Sequence, residues 1–164
     1  MEPRLKSKVL DEFIQVTETI INPDLQKWKD DGGRVLGYFC SAMPVELATA
    51  AGMLPFRIRG TGSTGTELSD SYLSSINCTF PRHAFNMALK GEYDFLDGLV
   101  IFNSCDHIRR VYDHWIRQLN TPLVKILSLP KKSGAQQVEW FRSELAILKE
   151  DMETQFGVRI KVGS

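Results

Sequence analysis

Three cysteines, Cys40, Cys78 and Cys105, hold the reactive chemistry of this sequence, and each falls at a junction between predicted elements. Cys105 follows the apolar run Leu99–Phe102, short enough to be a strand buried on both faces. After it the period changes: Ile108, Val111, Tyr112, Trp115, Ile116 and Leu119 recur at helical spacing, with Arg109, Arg110, Asp113, Arg117 and Gln118 on the other side. Ser104 is expected to cap that helix, with Asp106 in its first turn. Cys40 ends a second buried run, Val35–Phe39, and Cys78 directly precedes Thr79 and Pro81, which open a helix through Leu89. In a parallel sheet the carboxyl ends of the strands share one rim, where open α/β sheets bind ligands. The three thiols can therefore converge despite their distance along the chain. A helix N-terminus favours the thiolate, which is both the nucleophile and the metal ligand.

Several chemistries compete for these thiols. Close C-x-x-C pairs are absent, which disfavours a zinc ribbon or thioredoxin-like redox chemistry. Widely spaced single cysteines at loop tips suit an iron–sulfur cluster assembled by tertiary structure. A thiol-dependent transferase with Cys105 as nucleophile is a second possibility, and a buried structural thiol is the ordinary alternative for any one of them. An odd number of cysteines in a chain expected to be cytoplasmic argues against a disulfide framework. His83, His107 and His114 show no paired ligand spacing. His114 is expected on the solvated helix face, while His107, beside Cys105, is placed to support a site from behind. Gly60-Thr-Gly62-Ser-Thr-Gly65 matches a dinucleotide fingerprint in letters but not in context, because no apolar helix starts at it. A polar loop over 60–75 facing substrate is the better reading, and Lys131-Lys132 reads as solvated loop.

The elements that must position the thiols follow from periodicity. Val9, Leu10, Phe13, Ile14, Thr17, Ile20 and Ile21 predict an amphipathic helix stopped by Asn22-Pro23, with a short helical piece over 25–28 and a turn at Gly32-Gly33. After the strand 35–39 come a helix over 45–51 closed by Gly52, a strand over 55–59, the loop, the helix ending at Gly91, the central strand and helix, and a fourth strand over 122–127. A long helix carrying Val138, Phe141, Leu145, Leu148 and Met152 runs to Gly157, and 158–162 is expected to begin a further strand. This alternation predicts an α/β fold, a doubly wound short parallel sheet of Rossmann or flavodoxin type flanked by helices. Residues 1–33 form a helical segment and 34–164 the α/β domain. The 164 residues suffice for one such core, 43% being hydrophobic and 24% charged. Twenty basic against 20 acidic residues argue against sequence-independent nucleic-acid binding. No apolar run approaches a membrane span, and the N-terminus lacks a signal-peptide core.

Three segments resemble the 2-hydroxyacyl-CoA dehydratase and benzoyl-CoA reductase family. They are Gly37-Tyr-Phe-Cys-Ser-Ala-Met-Pro44-Val-Glu46 through Gly52-Met-Leu-Pro55-Phe-Arg57; Cys78 with Pro81-Arg82 and Leu89-Lys-Gly91 through Asp97-Gly98; and Asn103-Ser-Cys105-Asp106-His-Ile-Arg109-Arg110-Val-Tyr112. The resemblance covers most of residues 34–127 in the family's order. It implies a [4Fe–4S] cluster with Cys78 and Cys105 among its ligands, Cys40 as a further candidate, and a third family cysteine in a second α/β domain that lies outside this sequence. It implies radical dehydration of a 2-hydroxyacyl-CoA thioester, or reduction of a benzoyl-CoA-type thioester, with Glu46 as a carboxylate able to contact substrate. Implied partners are an acyl-CoA, a homologous second subunit and an ATP-dependent iron–sulfur activator. The sequence then corresponds to a subunit or the N-terminal part of one, the end after a long helix suggesting a larger protein. The alternative is a cluster-free module that binds acyl-CoA or pairs subunits without catalysis.

Overall fold

A computed structural model describes residues 8–161 and shows a four-stranded, all-parallel sheet in the order β2-β1-β3-β4. The strands are β1 (Arg34–Tyr38), β2 (Met53–Arg57), β3 (Gly98–Phe102) and β4 (Leu123–Leu127). The helices are α1 (Lys8–Glu18), α2 (Pro23–Asp30), α3 (Val45–Ala50), α4 (Thr79–Leu89), α5 (Asp106–Gln118) and α6 (Ala135–Phe156).

Strand β3 is central and buried at all five positions. Its alternate side chains feed two cores. Leu99 and Ile101 join Val35, Leu25 of α2, Ala84 and Phe85 of α4, and Val111 and Trp115 of α5. Val100 and Phe102 join Leu36, Ala48 of α3, and Leu148, Met152 and Phe156 of α6. Helices thus cover both faces, and each large side chain removed from water contributes about 1.5–3 kcal/mol. The flavodoxin-like strand order follows from the connections. From β1 the chain passes through α3 to β2 on one side, then back through α4 on the opposite face to β3, and through α5 to β4. The direction of winding reverses between β1 and β3, making their carboxyl ends the switch point of the sheet. The sheet is tightest at Gly98, where a Cβ would lie 2.8 Å from Leu36 Cδ1 and 3.4 Å from Phe156 Cζ.

Local chemistry sets the ends. Asn22 does not merely stop the first helix; its side chain accepts from Leu25 N at 2.8 Å and caps α2, with Pro23 in the first turn. Helix α1 ends at Glu18, and its apolar residues Val9, Leu10, Phe13 and Val16 are exposed. Strand β2 starts two residues earlier than periodicity suggests. No fifth strand forms over 158–161; residues 162–164 lie outside the described residues. Gly157 closes α6 at φ +64°, and Ile160 turns back so that its N–H donates to Glu153 Oε1 at 2.7 Å while its side chain enters the α6 core.

Candidate functional site

The switch point is built from three turns. After β3, Asn103 N donates to Leu127 O at 2.8 Å, which ties the turn to β4. Cys105, not Ser104, is the N-cap of α5: its backbone is extended at φ −155°, ψ 163°, and no side chain satisfies the helix N-terminus. Ser104 lies one position too early to cap. Its hydroxyl instead pairs with Cys40 Sγ at 3.2 Å, across from β3 to the end of β1. Cys40 is half-buried and packs against both cores, as expected where a sheet ends between its two layers. Cys78 likewise occupies the N-cap of α4, again with no side-chain cap, and both Cys78 and Cys105 are exposed. Two thiols therefore stand at uncapped helix N-termini, where backbone N–H groups and the helix dipole favour negative charge.

The segment leading to Cys78 is better ordered than its composition suggests. Tyr93 OH donates to Arg59 O, and Ser63 Oγ pairs with His83 Nδ1 at 2.8 Å. Arg82 donates to Asp70 Oδ1 at 2.6 Å and to Thr66 Oγ1 at 3.0 Å; the bond to Asp70 holds that carboxyl below its ordinary value of 3.8. Asn86, fully buried on α4, accepts from Leu68 N at 2.9 Å and Ser69 N at 3.2 Å, fixing a short 3-10 turn at Ser69–Ser71. Arg82, His83 and Asn86 thus clamp the glycine-containing loop onto α4, and Tyr93, beyond the helix, holds the loop's start. The Gly60–Gly65 motif ends in this clamp and does not open a helix, so it makes no dinucleotide site.

A further bond joins the two cysteine turns. Asn77 Oδ1 lies 3.1 Å from His107 Nδ1, so the residue before Cys78 meets the first turn of the helix that Cys105 caps. Shallow clefts flank that contact. One of about 500 Å³ is lined by Tyr72, Ile76, Asn77, His107, Arg109 and Arg110. Another of about 290 Å³ runs past Ser104, Cys105 and Arg109 to Ser128, Lys131 and Trp140. Lys131 is therefore a wall of the thiol cleft and not only loop. A third cleft of about 460 Å³, beside Lys29, Asp97 and Thr121, lies at the amino ends of the strands, away from the thiols. Glu46 is exposed in the first turn of α3. His114 is not on a solvated face; it packs beside the rings of Tyr72 and Phe85, with centroids 5.6 Å and 6.2 Å away.

Among the described residues no three His, Cys, Asp or Glu side chains converge as a complete metal site. The donor set fits iron in kind, two exposed thiols at anion-favouring helix ends, but a cluster would need more ligands than the described residues bring together. Sequence reasoning missed Asn77 and Asn86. Their signal was an asparagine directly before Cys78 and a lone polar residue on the apolar stripe Ala84-Phe85-Met87-Ala88.

The fold and site define a class: a flavodoxin-like domain presenting thiols at the switch point of its sheet. The chain belongs to the 2-hydroxyglutaryl-CoA dehydratase D-component family, which it matches over residues 40–163. It is 30% identical over 140 residues to a benzoyl-CoA reductase subunit of Thauera aromatica, covering 82% of this chain and 36% of that one. It is 32% identical over 103 residues to the (R)-2-hydroxyglutaryl-CoA dehydratase beta subunit of Acidaminococcus fermentans, covering 63% and 27% respectively. For the (R)-phenyllactyl-CoA dehydratase beta subunit of Clostridium sporogenes the identity is 31% over 104 residues, covering 62% and 27%. The chain thus spans about a third or less of the length of these relatives. No described helix is long and apolar enough to cross a membrane.

Proposed function

We propose that this chain is a subunit, or the N-terminal part of one, of an iron–sulfur 2-hydroxyacyl-CoA dehydratase or a related benzoyl-CoA-type reductase, working in the cytoplasm. Residues 34–164 form its thiol-bearing domain, preceded by the helical segment 1–33. The observation that carries this reading is the pairing of Cys78 and Cys105, each the uncapped N-cap of a helix, in turns joined by the Asn77–His107 bond. Cys78 and Cys105 would hold a [4Fe–4S] cluster, Cys40 being the candidate for a third bond from this chain. When bound, such a cluster supplies a Lewis-acidic iron and a strongly reducing electron beside the substrate. This chain's own residues bind and orient. Lys131 offers cationic character along the cleft beside Cys105, where Arg109 is paired with Asp106, and so suits the anionic character of an acyl-CoA. Glu46, exposed in the first turn of α3, the helix that follows Cys40, is the carboxylate assigned here to contact the acyl group. The remaining ligands come from a second α/β domain or a homologous subunit, and an ATP-dependent iron–sulfur activator delivers the electron.

A second reading, a cluster-free module that pairs subunits or binds acyl-CoA, is favoured by one observation: the exposed apolar face of α1, with Phe13 66% and Val9 59% accessible. Anaerobic purification of the chain assembled with the domain or subunit that completes the ligand set, followed by iron and sulfide analysis, separates the two. The cluster reading expects iron and sulfide in equal amounts with visible charge-transfer absorbance, and a fall in iron for Cys78→Ser and for Cys105→Ser with the fold kept. A colourless protein that binds acyl-CoA, or iron unchanged in both variants, overturns it.

A further inference from the structure

Between Ser74 and Phe80 every residue is exposed except Asn77, which is half-buried and turned toward α5. Its amide is fixed from both ends. Nδ2 donates to Ser74 O at 3.1 Å, which aims Oδ1 at His107 Nδ1, 3.1 Å away. An amide oxygen only accepts, so Nδ1 carries the proton and donates. The turn behind Asn77 is itself closed by Asn77 N donating to Ser74 O at 2.9 Å. Farther back, Tyr72 OH donates to Gln118 Oε1 at 3.2 Å, securing the start of the segment near the far end of α5. The Asn77–His107 bond joins the turn of Cys78 to the turn of Cys105. It lies one residue from Cys78 on one side and two from Cys105 on the other.

We propose that His107 is a positioning residue and that its bond to Asn77 is a strut fixing the separation of Cys78 and Cys105, so that the metal-free chain already presents them as a preorganised dithiol. This rests on the reading that these two thiols act together. Both flanking turns are stiff at their far ends: Asn103 is tied to β4, and the 66–71 segment is clamped by Arg82 and Asn86. Phe85 of α4 lies against Trp115 of α5 and holds the bodies of the two helices together, so what the Asn77–His107 bond sets is the spacing of their N-terminal turns. Holding two groups in place before a ligand arrives removes the ordering cost from the binding step.

Phenylarsine oxide, which condenses with two thiols to form two As–S bonds and release one water, tests this without iron. In the full chain carrying Cys40→Ser, only Cys78 and Cys105 remain as thiols. That protein should take up one arsenical per chain, by intact mass, with both thiols lost to a thiol reagent. His107→Leu, which removes the donor, should weaken arsenical affinity roughly tenfold, the worth of one hydrogen bond. The rate of single-thiol alkylation by iodoacetamide should stay unchanged, as should the circular dichroism. His107→Asn, whose Nδ2 can stand where the imidazole Nδ1 stands, should restore most of the affinity. Equal affinity in His107→Leu and the parent, with the parent still bridged, overturns the strut and leaves the paired-thiol reading intact. A parent that binds no arsenical at its two thiols overturns both.

Discussion

Replacing Asn86 by alanine should release the turn that leads to Cys78, at a cost that can be worked from the structure. Asn86 is fully buried, and its Oδ1 accepts from two backbone N–H groups, Leu68 at 2.9 Å and Ser69 at 3.2 Å. Ser69 is itself fully buried, so its N–H gains no water when the acceptor is removed. An unsatisfied buried donor costs about 1–3 kcal/mol, and Leu68, at an exposed position, loses only the net worth of a bond, about 1 kcal/mol. Nδ2 of Asn86 has no partner, so its loss offsets part of that cost. The balance is a destabilisation of about 2–3 kcal/mol, a large share of the stability of a domain this size. Urea denaturation should show the midpoint falling with an unchanged slope, and the melting temperature should drop by about 4–12 °C. Native-state hydrogen exchange should speed up at Leu68 and Ser69 far more than at β3, because the opening is local before it is global. A loss under about 0.5 kcal/mol, or exchange that rises equally throughout the sheet, would refute the clamp as described.

Two pH dependences follow from the same region. The Arg82 hydrogen bond lowers the Asp70 carboxyl below 3.8, so its stabilisation is present above that ordinary value and lost as the pH falls through the lowered one. Asp70→Asn should therefore lose stability relative to the parent at neutral pH, and the gap should close in an acid titration as the pH falls through the lowered value. Burial pushes the Tyr93 phenol up to about 12 from 10.0. The unfolded chain then ionises first, so stability should fall between pH 10 and 12, and Tyr93→Phe should flatten that fall. Ultraviolet titration of the phenolates should find one tyrosine of the four ionising near 12.

How the clamp and the thiols relate bears on why this loop carries glycine and polar residues at all. A glycine-containing segment reads as mobile when its neighbours are unknown. Here Arg82, His83 and Asn86, on one side of α4, each reach back to a polar partner in it. The helix that begins at Cys78 is thus also the frame that orders the approach to Cys78.

Much of the architecture was legible in the residues alone. Local apolar runs and their spacing determined four strands, the helices between them and the doubly wound parallel arrangement, because burial on two faces demands the pattern Leu99–Phe102 shows. They also placed Cys40 and Cys105 at strand ends and Cys78 at a helix start. Local signals could not decide Ser104 against Cys105 as the cap, because one residue of helix phase separates them and the hydroxyl found a better partner in Cys40. Nor could they foresee that Ile160 folds back onto α6, since apolar Val158 and Ile160 alternating with Arg159 and Lys161 after a glycine suit a strand or a packed tail equally well. The joining of Cys78's turn to Cys105's, through Asn77 and His107, belongs to tertiary structure alone. Those two residues lie thirty positions apart, and only the passage of α4 and α5 along the same face of the sheet brings them within hydrogen-bonding distance.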